Sequence, residues 1–248
     1  MLTKIAFISD IHGNAEALES IIKDITDKQI SMGNTYCLGD LVGYGPRPDE
    51  VIDIIKRYKI QSVLGNYDEA VGFYLPDCGC NIDSPNDKIK TQNSLSWTGR
   101  HTSDGNKEFL RNLEEQISLE INGQKLLLTH AAPYSINDYI YENDIEKQEE
   151  IADNLDEDII VFGHTHYPYN KKVNNKIFIN AGSVGRPKDG DNRSCYCIME
   201  IGENINIQFV RIPYDVEKVA KEIESSELLD NFAQVLRTGK DINLMIKD

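Results

Sequence analysis

Ile5-Ala6-Phe7-Ile8-Ser9-Asp10-Ile11-His12-Gly13-Asn14 decides the fold. The four apolar residues read as a buried strand. Asn14 can cap a helix running to about Asp27, with Ala17, Leu18, Ile21, Ile22 and Ile25 at helical spacing. Between strand and helix lie an aspartate and a histidine, where α/β sheets present their ligands. The pattern repeats. Tyr36–Leu38 reads as a short strand before Gly39-Asp40, and Asp49 caps a second helix with Val51, Ile52, Ile54 and Ile55 apolar. Ser62–Leu64 is a third strand, before Gly65-Asn66-Tyr67-Asp68. Alternating strand and helix signals predict parallel strands with crossover helices.

Gly72 to Asp87 is irregular, and helices are expected near Lys88–Arg100 and Asn106–Leu113. Ile117–Ile121 and Lys125–Thr129 flank Asn122-Gly123, a strong hairpin signal, and the second run ends at His130. A helix at Ile145–Asn154 precedes the strand Ile159–Phe162, which leads into Gly163-His164-Thr165-His166. The later runs Lys172-Val173, Lys176–Asn180, Ser194–Ile201 and Ile205–Ile212 read as short strands without intervening helices, with Asn174-Asn175 as a turn. Asp215 to Leu236 is one amphipathic helical stretch. The economical organisation is one domain over 1–248, with 215–248 a C-terminal helical extension.

The chain has 248 residues, 40% hydrophobic and 27% charged, ordinary for a soluble globular protein. The expectation is a cytoplasmic protein, because Ile5–Ile8 enters directly without a signal-peptide pattern and no run reaches membrane-spanning length. A formal net charge of -15 argues against nucleic acid or an anionic membrane as partner. Association into a homo-oligomer is left open. Of the five cysteines, Cys195 and Cys197 read as buried small hydrophobes, and Cys78-Gly79-Cys80 as a loop; disulfides are not expected in a cytosolic chain.

Four of the five histidines thus follow apolar strands, in company with Asp10, Asp40 and Asn66. Imidazoles, carboxylates and an amide oxygen suit borderline divalent metals, and seven donors suffice for two ions, which points to phosphate ester hydrolysis. Asp10-Ile11-His12, Gly39-Asp40, Gly65-Asn66, His130 and Gly163-His164-Thr165-His166 stand in the order of the calcineurin-like metallophosphoesterase superfamily, which the chain resembles from about Lys4 to Tyr196. Gly39-Asp40-Leu41-Val42-Gly43-Tyr44-Gly45-Pro46 and Asn180-Ala181-Gly182-Ser183-Val184-Gly185-Arg186-Pro187 resemble its small single-domain bacterial and archaeal members. The resemblance implies an α/β, four-layer αββα sandwich of two mixed sheets flanked by helices. It also implies that Asp10, His12, Asp40 and His166 hold one ion and that Asp40, Asn66, His130 and His164 hold the other. The ions would be manganese, iron or zinc, with a bridging hydroxide as nucleophile. The implied substrate is a small phosphate ester, phosphodiester or (di)nucleoside polyphosphate.

Tyr67 departs from the pattern. The family usually carries histidine there, thought to contact the phosphate and protonate the leaving group. Three readings follow: substrates with good leaving groups, a proton from His101, or a catalytically weak protein serving as a binding module like the retromer scaffold subunit. His101 also reads as a surface residue at a helix end. Asp68 either orients Tyr67 or caps a turn. Arg47 and Arg186 are potential phosphate ligands, weighed against solvated surface arginines.

Overall fold

The computed structural model describes residues 2–80 and 84–241. Among them, ten strands form two five-stranded sheets flanked by eight α-helices. In the first sheet β1 (Thr3–Ile8) is central. It pairs in parallel with β2 (Thr35–Cys37), which pairs with β3 (Gln61–Ser62), and antiparallel with β9 (Ser194–Ile201), itself followed by β10 (Ile205–Ile212). In the second sheet β4 (Gln116–Ile121) and β5 (Gln124–Thr129) form a hairpin. Then β5, β6 (Ile159–Phe162) and β8 (Lys176–Asn180) run parallel, with β7 (Tyr169–Val173) antiparallel at the edge. Both expected turns form with two consecutive left-handed residues, Asn122-Gly123 and Asn174-Asn175, whose twist matches the strands they join.

Strand alternation explains the layers. Ile5 and Phe7 of β1 pack between the sheets with Leu126, Leu128, Ile159, Val161 and Ile179, while Ala6 and Ile8 face the helices α1 (Ala15–Asp27) and α2 (Pro48–Tyr58). Similarly, Ile160 and Phe162 of β6 turn away from the first sheet, onto α6 (Ile145–Asn154). A strand buried on both faces must be apolar throughout, which is why these runs lack polar alternation. The architecture is the expected αββα sandwich. The remaining helices are α3 (Asn66–Gly72), α4 (Pro85–His101), α5 (Asp104–Arg111), α7 (Val216–Glu224) and α8 (Asp230–Thr238).

Three expectations are corrected. Asp49 does not cap α2: the helix begins at Pro48, a favoured first position, and the Asp49 carboxylate instead accepts from the Ser103 amide at 2.9 Å and the Asn106 side chain at 2.9 Å. The stretch from Asp215 to Leu236 is two helices. Ser225 and Ser226 end the first by bonding back to the carbonyls of Glu222 and Ile223, and both helices pack around Phe232 and Trp97. Residues 242–248 of the expected extension, and 81–83 of the irregular segment, lie outside the described residues. Finally, Cys78 and Cys80 form a disulfide, because left-handed Gly79 folds the tripeptide back on itself.

Candidate metal centre

The donor residues converge at the carboxyl ends of β1, β2, β5 and β6 and at the start of α3, just after β3. Five of them, Asp10, His12, Asp40, His164 and His166, sit in left-handed backbone with φ of 51–65°. Non-glycine residues adopt that region at a cost, and such strain collects at functional sites. The loops hold it by backbone bonds across elements: Asp10 N to Gly39 O at 3.0 Å, His12 N to Asp40 O at 3.0 Å and Gly163 N to His130 O at 2.9 Å. Gly163 is required here, since a Cβ would overlap Ser9 Oγ and Asp10 Oδ2.

All seven donors are nearly or fully buried. Asp10, His12 and His166 form one group of potential ligand atoms, and Asp40, His130 and His164 another, each within 4.8 Å. Asp40 lies between them: its Oδ2 is 3.7 Å from His12 Nε2 and 3.6 Å from His130 Nε2, while Oδ1 accepts from the Tyr67 amide at 2.9 Å. Asp10 divides similarly. Its Oδ2 accepts from Ser9 Oγ at 2.6 Å and His164 N at 3.0 Å, whereas Oδ1, 3.3 Å from His166 Nε2, is buried without a hydrogen-bond partner.

The ring nitrogens give the sharpest test of a metal. His12, His130 and His166 direct Nδ1 at the carbonyls of Val42, Leu38 and Arg186, at 3.1, 2.7 and 2.5 Å. A carbonyl only accepts, so each Nδ1 carries a proton, and in the neutral ring that leaves each Nε2 a lone pair. Yet His12 Nε2 and His166 Nε2 face each other at 3.1 Å. In the other half, the Asn66 amide donates to Cys78 O at 2.9 Å and approaches Cys80 Sγ at 3.1 Å. That leaves its Oδ1 facing His130 Nε2 at 3.0 Å. Two acceptors aimed at one another repel unless a cation lies between them. Donors on one ion at ~2.1 Å stand about 3.0–3.4 Å apart, close to these separations. His164 uses the opposite tautomer, donating Nε2–H to Asn137 O at 3.2 Å and leaving Nδ1 for its group.

The electrostatics agree. Burial lowers the pKa values of His12, His164 and His166, keeping them neutral as ligands must be. Burial and the Asp10 charge push Asp40 well up. Two adjacent buried carboxylates call for positive charge.

A cavity of about 550 Å³ opens over the cluster, lined by His12, Asp40, Asn66, Tyr67, His164 and His166. Tyr67 stacks its ring against Gly43, where a Cβ would collide with it, and meets His12 edge-on at 5.6 Å. Its buried hydroxyl makes no well-formed hydrogen bond, and burial drives its pKa well above the tyrosine range. Asp68 accepts from the amides of Leu41 at 2.9 Å, Val42 at 3.3 Å and Gly65 at 3.1 Å, so it ties the Asp40 loop to the start of α3 rather than orienting the Tyr67 ring. Arg186 lines the cavity. Arg47 and His101 do not. The Arg47 guanidinium is engaged by Glu222, Glu50 and Glu16, and exposed His101 stacks on Trp97 at 3.9 Å with Nδ1 on Trp97 O at 2.8 Å. The structure therefore brings neither Arg47 nor His101, both expected at the site, to the donor cluster.

Other residues of the cavity wall carry no sequence motif: Tyr139, Tyr141, Lys147, Lys90, Lys188 and Asp241. Tyr139 lies 4.1 Å from the His164 ring and parallel to Tyr141 at 5.7 Å. The one available hint was Lys188, two residues beyond Arg186 in the same turn. Asn180 and Ser183 are scaffolding: Asn180 Nδ2 donates to Gly163 O at 2.6 Å, and Ser183 Oγ donates to Asp10 O at 2.8 Å.

Two packed mixed sheets carry at their strand ends a histidine–carboxylate cluster whose donors suit divalent metal ions. Residues 3–204 match the calcineurin-like phosphoesterase superfamily domain, and the chain belongs to that family. It is 32% identical over 253 residues to the uncharacterized protein MJ0912 of Methanocaldococcus jannaschii, covering 95% of this chain and 98% of that one. It is 24% identical over 200 residues to phosphodiesterase YfcE of Escherichia coli K12, covering 77% and 84%. The crystal structure of a metallophosphoesterase from Sphaerobacter thermophilus superposes with a TM-score of 0.78 at 25% identity, covering 96% of this chain and all of that one. The chain is an enzyme, a phosphoesterase of a family that implies divalent metal ions.

Proposed function

We propose that this chain hydrolyses a small phosphate ester, phosphodiester or (di)nucleoside polyphosphate with two divalent ions, manganese, iron or zinc. Asp10, His12, Asp40 and His166 would hold one ion. Asp40, Asn66, His130 and His164 would hold the other, with Asp40 shared. The observation that carries this reading is the pair of facing acceptors, His12 Nε2 against His166 Nε2 and Asn66 Oδ1 against His130 Nε2. When bound, two such ions supply positive charge for the phosphoryl oxygens and activate water for in-line attack.

The chain's own side chains do the remaining work. Asp68 holds the loop that presents Asp40. Arg186 offers a guanidinium to a phosphate oxygen. Tyr67 keeps its proton and can donate a hydrogen bond to the phosphoryl group, but its raised pKa makes it a poor acid. With His101 on the far end of α4, neither residue supports protonation of a basic leaving group. The reading therefore favours esters with acidic leaving groups, such as nucleotides and polyphosphates; the YfcE relative is itself named a phosphodiesterase. The interaction-module reading rests on Tyr67 alone, whereas the donor set is complete.

The test is a manganese-loaded assay of monoesters, diesters and dinucleoside polyphosphates. Turnover is expected for at least one class, with Asp40→Asn lowering kcat by about 10³-fold or more, as loss of a bridging ligand disrupts both ions. No turnover of any class by the metal-loaded protein would overturn the enzymatic reading.

A further inference from the structure

Arg186 and Lys188 stand in the turn between β8 and β9, on the wall of the metal cavity. Arg186 is only 5% exposed. Its backbone carbonyl orients His166, and its guanidinium lies 4.3 Å over the Tyr44 ring, which meets His12 edge-on at 5.1 Å. One aromatic ring therefore separates this cation from a metal-binding histidine.

Both cations converge on one carboxylate. Arg186 Nη2 donates to Asp241 Oδ1 at 2.8 Å, and Lys188 Nζ is 3.8 Å from Asp241 Oδ2. The compensation is incomplete: Arg186 Nε is buried with no partner, and the Asp241 side chain is 51% exposed. Buried cations need an anion that satisfies their donors. The Asp241 carboxylate meets Arg186 Nη2 and Lys188 Nζ but leaves Arg186 Nε unmet, whereas a terminal phosphate group presents three oxygens in different directions.

Asp241 is placed there by the fold. Left-handed Gly239 ends α8 against Asp191, Gly190 N donates to Gly239 O at 2.7 Å, and Lys240 bridges to Asp189.

We propose that Arg186 and Lys188 form an anion subsite for a second phosphate group of the substrate, and that Asp241 is its resting occupant, displaced when that group binds. The proposal rests on the cluster being the site of the first phosphate, and it narrows the substrate class to organic di- and polyphosphates.

The probes are inorganic phosphate and methylenediphosphonate, titrated calorimetrically into manganese-loaded protein freed of excess metal. Wild type should bind the diphosphonate more tightly than phosphate. Lys188→Gln should weaken the diphosphonate about tenfold and phosphate much less, as expected for loss of one charge-assisted contact. Asp241→Asn should tighten the diphosphonate several-fold. Equal effects on both ligands, weaker diphosphonate binding by Asp241→Asn, or no preference in wild type would each overturn the proposal. Because the readout is binding, it stands apart from turnover: an inactive protein with the expected pattern retains the subsite and loses only the catalytic reading.

Discussion

At the scale of single residues, the proposed reaction turns on position 67. A neutral, buried tyrosine has a fixed proton, so it can steady a phosphoryl oxygen but not feed a basic leaving group. Tyr67→His restores the group usual in the family within a smaller volume. Its kcat should rise by about tenfold or more on alkyl phosphates and change little on nitrophenyl phosphate, because only the first leaving group needs the proton. Tyr67→Phe should lower kcat on both. A uniform response of Tyr67→His across leaving groups would refute this account. The donor cluster itself was legible in the sequence, because its members stand at strand ends within short glycine-bearing motifs. Arg47 and Arg186 were not separable there. Both follow a strand-end motif, and only packing shows that Glu222 claims one while the other turns inward beneath Tyr44.

At the scale of elements, strands and helices were read well where the apolar period was long, as in α1 and β6. The failures fall where polar side chains decide. Ser225 and Ser226 break one amphipathic stretch into α7 and α8, and Pro48 takes the start of α2 from Asp49. The segment between β5 and α6 gave no signal, yet it supplies Tyr139 and Tyr141 to the cavity, with Tyr141 44% exposed. Their parallel rings run outward from His164, a surface on which a flat leaving group can stack. Tyr141→Ala should raise KM for a nucleotide about five- to tenfold, on the scale of one stacking contact, and leave KM for glycerol phosphate within twofold. Tyr141→Trp should restore the nucleotide value. Equal KM changes for both substrates would exclude a stacking role.

At the scale of the whole molecule, strand order was the least legible property. That β9 returns to pair with β1 while β8 joins the other sheet depends on contacts distant in sequence. The same division runs through the centre: Asp10, His12, Asp40 and Asn66 follow strands of one sheet, and His130, His164 and His166 follow strands of the other. Ions held between them would join the sheets and compensate the left-handed backbone of five ligands. Chelation should therefore lower Tm by about 10–20 °C, from ~2.7 kcal/mol for each of two ions at a hundredfold excess over Kd. An unchanged Tm on chelation would show that the sheets dock without help from the site. The separation carries a kinetic consequence as well. His12 and His166 are 154 positions apart, so closing that loop is among the slower contacts a folding chain makes. Metal uptake would then report completion: a chain whose sheets have not yet docked offers neither ion its full coordination set, and loading marks the moment a newly made molecule is whole.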